Sequence, residues 1–66
     1  MSPAQLNITI LAMRIYGGGF AVKLADLLEV ADQENEARLL AAFPDYVTRY
    51  GPGSDVFALV SGEVTA

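Results

Sequence analysis

The chain has 66 residues, 53% of them hydrophobic, with eight acids against four bases and a formal net charge of −4. It contains neither cysteine nor histidine, which excludes a disulfide framework and thiolate or imidazole metal sites. A sequence pI near 4.3 disfavours direct nucleic-acid binding and anionic membranes, both of which favour a basic surface.

A chain of this length makes one domain, residues 1–66, and buries only about 60% of its unfolded surface. Its mean hydropathy of +0.37 is high for a small soluble domain. Part of the apolar surface is therefore expected to lie against a second subunit, in a homo-oligomer such as a dimer, or against a partner. The longest apolar run, Ile8 to Met13 with Thr9 inside it, is far short of a membrane span. No basic segment precedes it, so the expectation is a cytoplasmic protein without a signal peptide.

In chain order, Ser2-Pro3-Ala4-Gln5 carries helix-start signals: a capping serine, proline at the first position and glutamine three after the cap. Leu6-Asn7-Ile8-Thr9-Ile10 alternates as a strand would. The same stretch also offers a helical face through Ala4, Ile8, Leu11 and Ile15, widened by Leu6, Ile10 and Met13. The cap and the length of the run favour a helix over about 3–16, stopped by Gly17-Gly18-Gly19. A second helix over 19–31 has Phe20, Leu24, Leu27, Leu28 and Ala31 on one face and Lys23, Asp26, Glu29 and Gln33 on the other. Asp32 is placed to cap a third helix over 33–50, with Glu34 and Glu36 in the first turn, where the helix dipole favours negative charge. Ala37, Leu39, Leu40 and Phe43 give it an apolar side. Pro44 kinks it or opens a short fourth helix.

Gly51-Pro52-Gly53-Ser54 is a firm stop. Residues 54–66 read as an apolar tail or arm that is open between strand, short helix and docking segment. The predicted class is all-α, a bundle of three main helices. The alternative is α+β, if residues 5–11 and 55–60 pair as strands.

The sequence offers little chemistry. Gly17-Gly18-Gly19 with Lys23 could receive an anion at a helix N-terminus, but the spacing is not that of a phosphate loop and reads as a turn. The Asp32-to-Glu36 run lacks the glycine and terminal glutamate of a calcium loop. No nucleophile–base constellation accompanies the carboxylates. The expectation is a non-enzyme with no cofactor and no metal.

Charge placement is the informative feature. Asp26, Glu29, Asp32, Glu34, Glu36 and Asp45 face a single base, Arg38, so residues 26–45 carry −5. Such a block selects cationic partners, and these six are the candidate partner-binding residues for an Arg/Lys groove. Tyr50, Phe57 and Leu59 are the candidate oligomer interface, since aromatic and large apolar groups anchor interfaces.

Gly18-Gly19-Phe20-Ala21, Ala31-Asp32 with Asn35, Arg38-Leu39-Leu40, Ala42-Phe43-Pro44 and Tyr50-Gly51 resemble a pattern common in small acidic helical proteins of phages and prophages, over about residues 16–53. In size, charge and lack of catalytic groups the chain is also similar to phage anti-CRISPR proteins. That resemblance implies a stoichiometric inhibitor occupying a basic, nucleic-acid-binding surface of a Cas protein. It assigns no residue roles. The alternative is a homo-oligomeric phage accessory protein or a sponge that sequesters a nucleotide.

Overall fold

Ser2 and Gln5 open the first helix by capping each other. The Ser2 hydroxyl accepts from the Gln5 amide at 3.1 Å, and the Gln5 side chain accepts from the Ser2 amide at 2.8 Å. The computed structural model describes residues 1–65. They form five helices: α1 (Pro3–Tyr16), α2 (Gly19–Val30), α3 (Gln33–Ala42), α4 (Pro44–Tyr50) and α5 (Asp55–Thr65). No strand occurs among the described residues, so residues 5–11 and 55–60 do not pair; both lie in helices.

α1 is the hub. It packs against α2, α4 and α5, while α3 bridges α2 and α4. The core is made of Ile10 and Met13 from α1 and Ala21, Leu24, Ala25 and Leu28 from α2. Leu6, Leu39, Leu40, Phe43, Tyr46 and Tyr50 pack around it. Small residues at Ala12, Ala21 and Ala25, all buried, let the helices approach closely. Thr9 is the buried polar side chain of α1, and its hydroxyl donates to the Gln5 carbonyl at 2.8 Å. That internal bond satisfies the group, so its burial carries no unpaired-donor penalty.

Two expectations left open are resolved, and a third is corrected in part. First, residues 33–50 are two helices. The chain breaks at Phe43, whose backbone (φ −127°, ψ 62°) is non-helical, because a following proline disfavours helical geometry in its predecessor. Phe43 ends α3 by donating its amide to the Leu39 carbonyl, and Pro44 starts α4. Second, the apolar tail is a packed helix. Ser54 caps it, accepting from the Phe57 amide at 3.2 Å, and Val60 is buried where α5 meets α1 and α4. Ala66, the end of the expected 54–66 tail, lies outside the described residues. The three-helix bundle thus becomes five helices, of which α1 and α2 keep the expected bounds to within a residue.

Third, the face assigned to α1 is split: Leu6, Ile10 and Met13 turn into the core, whereas the row Ala4, Ile8, Leu11 and Ile15 turns mostly outward. Ala4 and Leu11 are exposed, Ile15 is 55% exposed, and Ile8 is half-buried. The buried side is Thr9, Ile10, Ala12 and Met13. α1 is apolar on two opposite sides, so hydrophobic periodicity alone does not choose between them.

Two glycines are demanded by geometry. Gly53 has φ +95°, in the region that L side chains avoid. At Gly17 a Cβ would collide with the Met13 carbonyl and the Ala21 methyl, so the α1–α2 turn closes only around a bare backbone.

Candidate functional site

α2 and α3 are joined by a two-residue turn, Ala31-Asp32, and diverge enough to leave a cleft between them. Its volume is about 450 Å³, and it is lined by Leu27, Val30, Ala31, Asn35, Arg38, Leu39 and Ala42. Helical spacing explains the lining. Leu27 and Val30 sit one turn apart on the flank of α2 that faces α3, and Asn35, Arg38, Leu39 and Ala42 fall on one flank of α3. Leu27 is 52% and Val30 81% exposed. Only Asn35 and Arg38 supply polar groups, so the walls are apolar with a polar edge.

The charged residue of the lining is Arg38, and two acids are bonded to lining residues at the start of α3. Asp32 caps α3, its carboxylate accepting from the Asn35 amide at 2.8 Å, as its position in the sequence suggested. Glu34 accepts from Arg38 at 2.8 Å in an exposed i,i+4 pair. Such pairs are worth little in water and exchange partners readily. Asp32 and Glu34 are thus the members of the acidic set bonded to lining residues, Asn35 and Arg38, without lining the cleft themselves.

The other four lie elsewhere. Asp26 and Glu29 stand on the side of α2 that meets α1, with Asp26 next to Val30 around the helix. There the Arg14 guanidinium donates to Asp26 at 2.7 Å and to Glu29 at 2.6 Å. The hydrogen bond with Asp26, together with the charge of both carboxylates, raises the Arg14 pKa above its ordinary value, against an opposing desolvation effect. Glu36 is half-buried and lines a smaller recess of about 180 Å³ with Ser2, Pro3, Leu6, Asn7 and Gln33. Asp45 is exposed in the first turn of α4. The six carboxylates thus occupy four local settings. Among the described residues, no group of three or more carboxylates converges to hold a metal ion.

Of the candidate interface residues, Tyr50 is half-buried and stacks on Tyr46 with ring centroids 6.1 Å apart. Phe57 is half-buried, and Leu59 is 57% exposed. Tyr46 also packs against Phe20 at 5.2 Å, and Phe20 meets Phe43 edge-on at 5.3 Å. Arg49 lies over the Tyr46 ring, 5.9 Å from its centroid. This aromatic group ties α2 to α4 and to Phe43 at the end of α3.

The cleft residues Leu27, Val30, Leu39 and Ala42 were missed as a site by the sequence reading, which followed charge. A signal existed at Val30. It falls beside Lys23 and Asp26 on the polar side of α2, where a large apolar residue has no structural reason to be. No helix among the described residues is long and apolar enough to cross a membrane. No protein-family model, curated protein or solved structure matches the chain.

Proposed function

We propose that this chain is a non-catalytic binding module that takes a basic amphipathic segment of another protein into the α2–α3 cleft. Leu27, Val30 and Leu39 form the apolar floor, and Asp32 and Glu34 meet the segment's Lys or Arg side chains. The observation that carries this reading is Val30, exposed at 81% beside an acidic helix start. A cleft of this volume lies within the about 300–1,000 Å³ range of ligand sites. Few polar groups converge on it, which favours helix-in-groove recognition over a polar small molecule. The excess of carboxylates complements a cationic partner and steers its approach.

The specific form we propose is a stoichiometric inhibitor of a bacterial defence protein, acting on a basic surface in the manner of an anti-CRISPR. Its support is the acidic charge together with the resemblance of residues 16–53 to small phage proteins. Nuclear magnetic resonance of the isotope-labelled chain tests the cleft, using a Leu/Lys amphipathic peptide and a Leu/Glu counterpart as probes. Shifts from the Leu/Lys peptide confined to the cleft lining, with none from the Leu/Glu peptide, are expected. Shifts centred elsewhere, or an equal response to both peptides, would overturn the reading.

A further inference from the structure

The cleft between α2 and α3 closes where Phe20 meets Phe43 edge-on at 5.3 Å. The apolar surface continues past that point. Phe20, Leu27 and Val30 fall on one flank of α2, in steps of seven and three residues. They are 54%, 52% and 81% exposed, although Phe20 also touches Tyr46 at 5.2 Å. Ten residues of helix place Phe20 about 15 Å from Val30. Lys23 stands in the same row, between Phe20 and Leu27, and is exposed.

Charge differs between the two ends of this row. Of the four bases in the chain, Arg14 and Arg38 are paired with carboxylates. Lys23 and Arg49 have no ion pair among the described residues. Both stand at the Phe20 end, Lys23 one turn along α2 and Arg49 over the Tyr46 ring that Phe20 touches. Asp45, in the first turn of α4, is the acid on that helix, so two bases face one acid there. Asp26, one turn beyond Lys23, is held on the α1 side by Arg14 at 2.7 Å. The Val30 end has the opposite balance, two acids, Asp32 and Glu34, against one base, Arg38.

We propose that the docking surface runs the length of α2 from Val30 to Phe20, and that the segment it takes is a helix of about three turns with an acidic residue at one end, set against Lys23. The inference rests on the reading of the cleft as a docking site for a basic amphipathic segment, and adds what sets the segment's direction. Apolar side chains on one face of the segment cover Val30, Leu27 and Phe20, and its bases lie toward Asp32 and Glu34. Turning the segment end for end sets its acid against Asp32 and Glu34 and its bases against Lys23 and Arg49, so like charges meet at both ends. Lys23 is thus a specificity-determining residue that a wholly basic segment leaves unpaired.

Two Leu/Lys amphipathic peptides of about three turns test this. They differ only in the last polar residue at one end, Lys in one and Glu in the other, and each carries a nitroxide at that end. Calorimetric titration reads affinity, and broadening of amide signals in the isotope-labelled chain reads direction. Net charge alone favours the all-Lys peptide, because the chain carries −4. The expected result is the reverse. The Glu peptide binds the wild type about threefold more tightly, and its nitroxide broadens Phe20 and Lys23 more than Val30. In Lys23→Ala, at an exposed position where alanine keeps the helix, the preference passes to the all-Lys peptide. Wild-type affinity for the all-Lys peptide that equals or exceeds that for the Glu peptide would overturn the inference and leave the cleft reading in place. So would a preference for Glu that survives Lys23→Ala, or broadening centred on Val30. Binding of neither peptide would overturn both.

Discussion

Arg14 in α1 and Asp26 in α2 meet at 2.7 Å, and the same guanidinium reaches Glu29 one turn further on at 2.6 Å. This cation ties α2 to α1 in the rotation that its buried face, Ala21, Leu24, Ala25 and Leu28, already sets. With Asp26 and Glu29 turned toward α1, helical geometry turns Leu27 toward α3, into the cleft, and leaves Val30 outward beside it. Two of the acids that dominate the sequence are therefore engaged within the fold and are not free for a partner.

Replacing Arg14 by lysine should lower the melting temperature almost as much as replacing it by methionine. A single ammonium does not reproduce the fork that spans two carboxylates. The deficit should shrink in high salt, because the carboxylates are exposed. The pairing raises the Arg14 pKa, so its contribution is fully present below the unfolded-state value and is lost only as pH rises through the higher folded value. Melting curves between neutral pH and about pH 10 should therefore show the wild-type advantage over Arg14→Met unchanged on this group's account.

Met13 is fully buried at the centre of the α1–α2 contact. Met13→Ala should cost about 2–5 kcal/mol in denaturant unfolding, from lost transfer energy and the cavity left behind. In a domain this small such a loss approaches the whole stability. Leu59→Ala, at an exposed site, should leave the unfolding midpoint nearly unchanged.

The glycine turn separates into two behaviours. Gly17→Ala forces a methyl against the Met13 carbonyl, which the helix end cannot easily move, and should cost about 1–3 kcal/mol. Gly19→Ala meets nothing nearby and lies in the first turn of α2. It should stabilise by about 0.4–1 kcal/mol by restricting the unfolded chain. Paired thermal and denaturant melts read both.

Asp32 combines a cap with a charge, and the two separate by substitution. Asp32→Asn keeps the oxygen that accepts from Asn35 and should leave stability unchanged, whereas Asp32→Ala should cost about 1 kcal/mol. Both should weaken binding of a Leu/Lys peptide. Equal melting of Asp32→Asn and wild type alongside weaker peptide binding separates the binding role from the capping role.

The punctuation of this fold was legible in the sequence. Ser2, Asp32, Pro44 and the 51–54 turn each act locally, through bonds within a few residues, and each ends or begins a helix where its chemistry requires. The orientation of the helices was less legible. In α1 the apolar residues surround the axis, and only the buried Thr9, satisfied by its own helix, marks the inner side. For residues 55–65, Gly62 and the β-branched residues weaken helix propensity, and the outcome rests on tertiary contact at Val60, which local pattern does not encode. The acidic block was visible as composition, but the capture of Asp26 and Glu29 by Arg14, twelve residues before Asp26, is a tertiary contact that local pattern does not encode.

Calorimetric titration of a Leu/Lys amphipathic peptide into the wild-type chain and into Val30→Asn probes the cleft most directly, because Val30 is too exposed for its loss to disturb the fold. Affinity should fall about tenfold or more in Val30→Asn, and wild-type affinity should fall as salt rises from about 0.05 to about 0.5 M. Equal affinity for both chains, or binding indifferent to salt, would contradict an acid-edged apolar cleft as the place where this protein meets its partner.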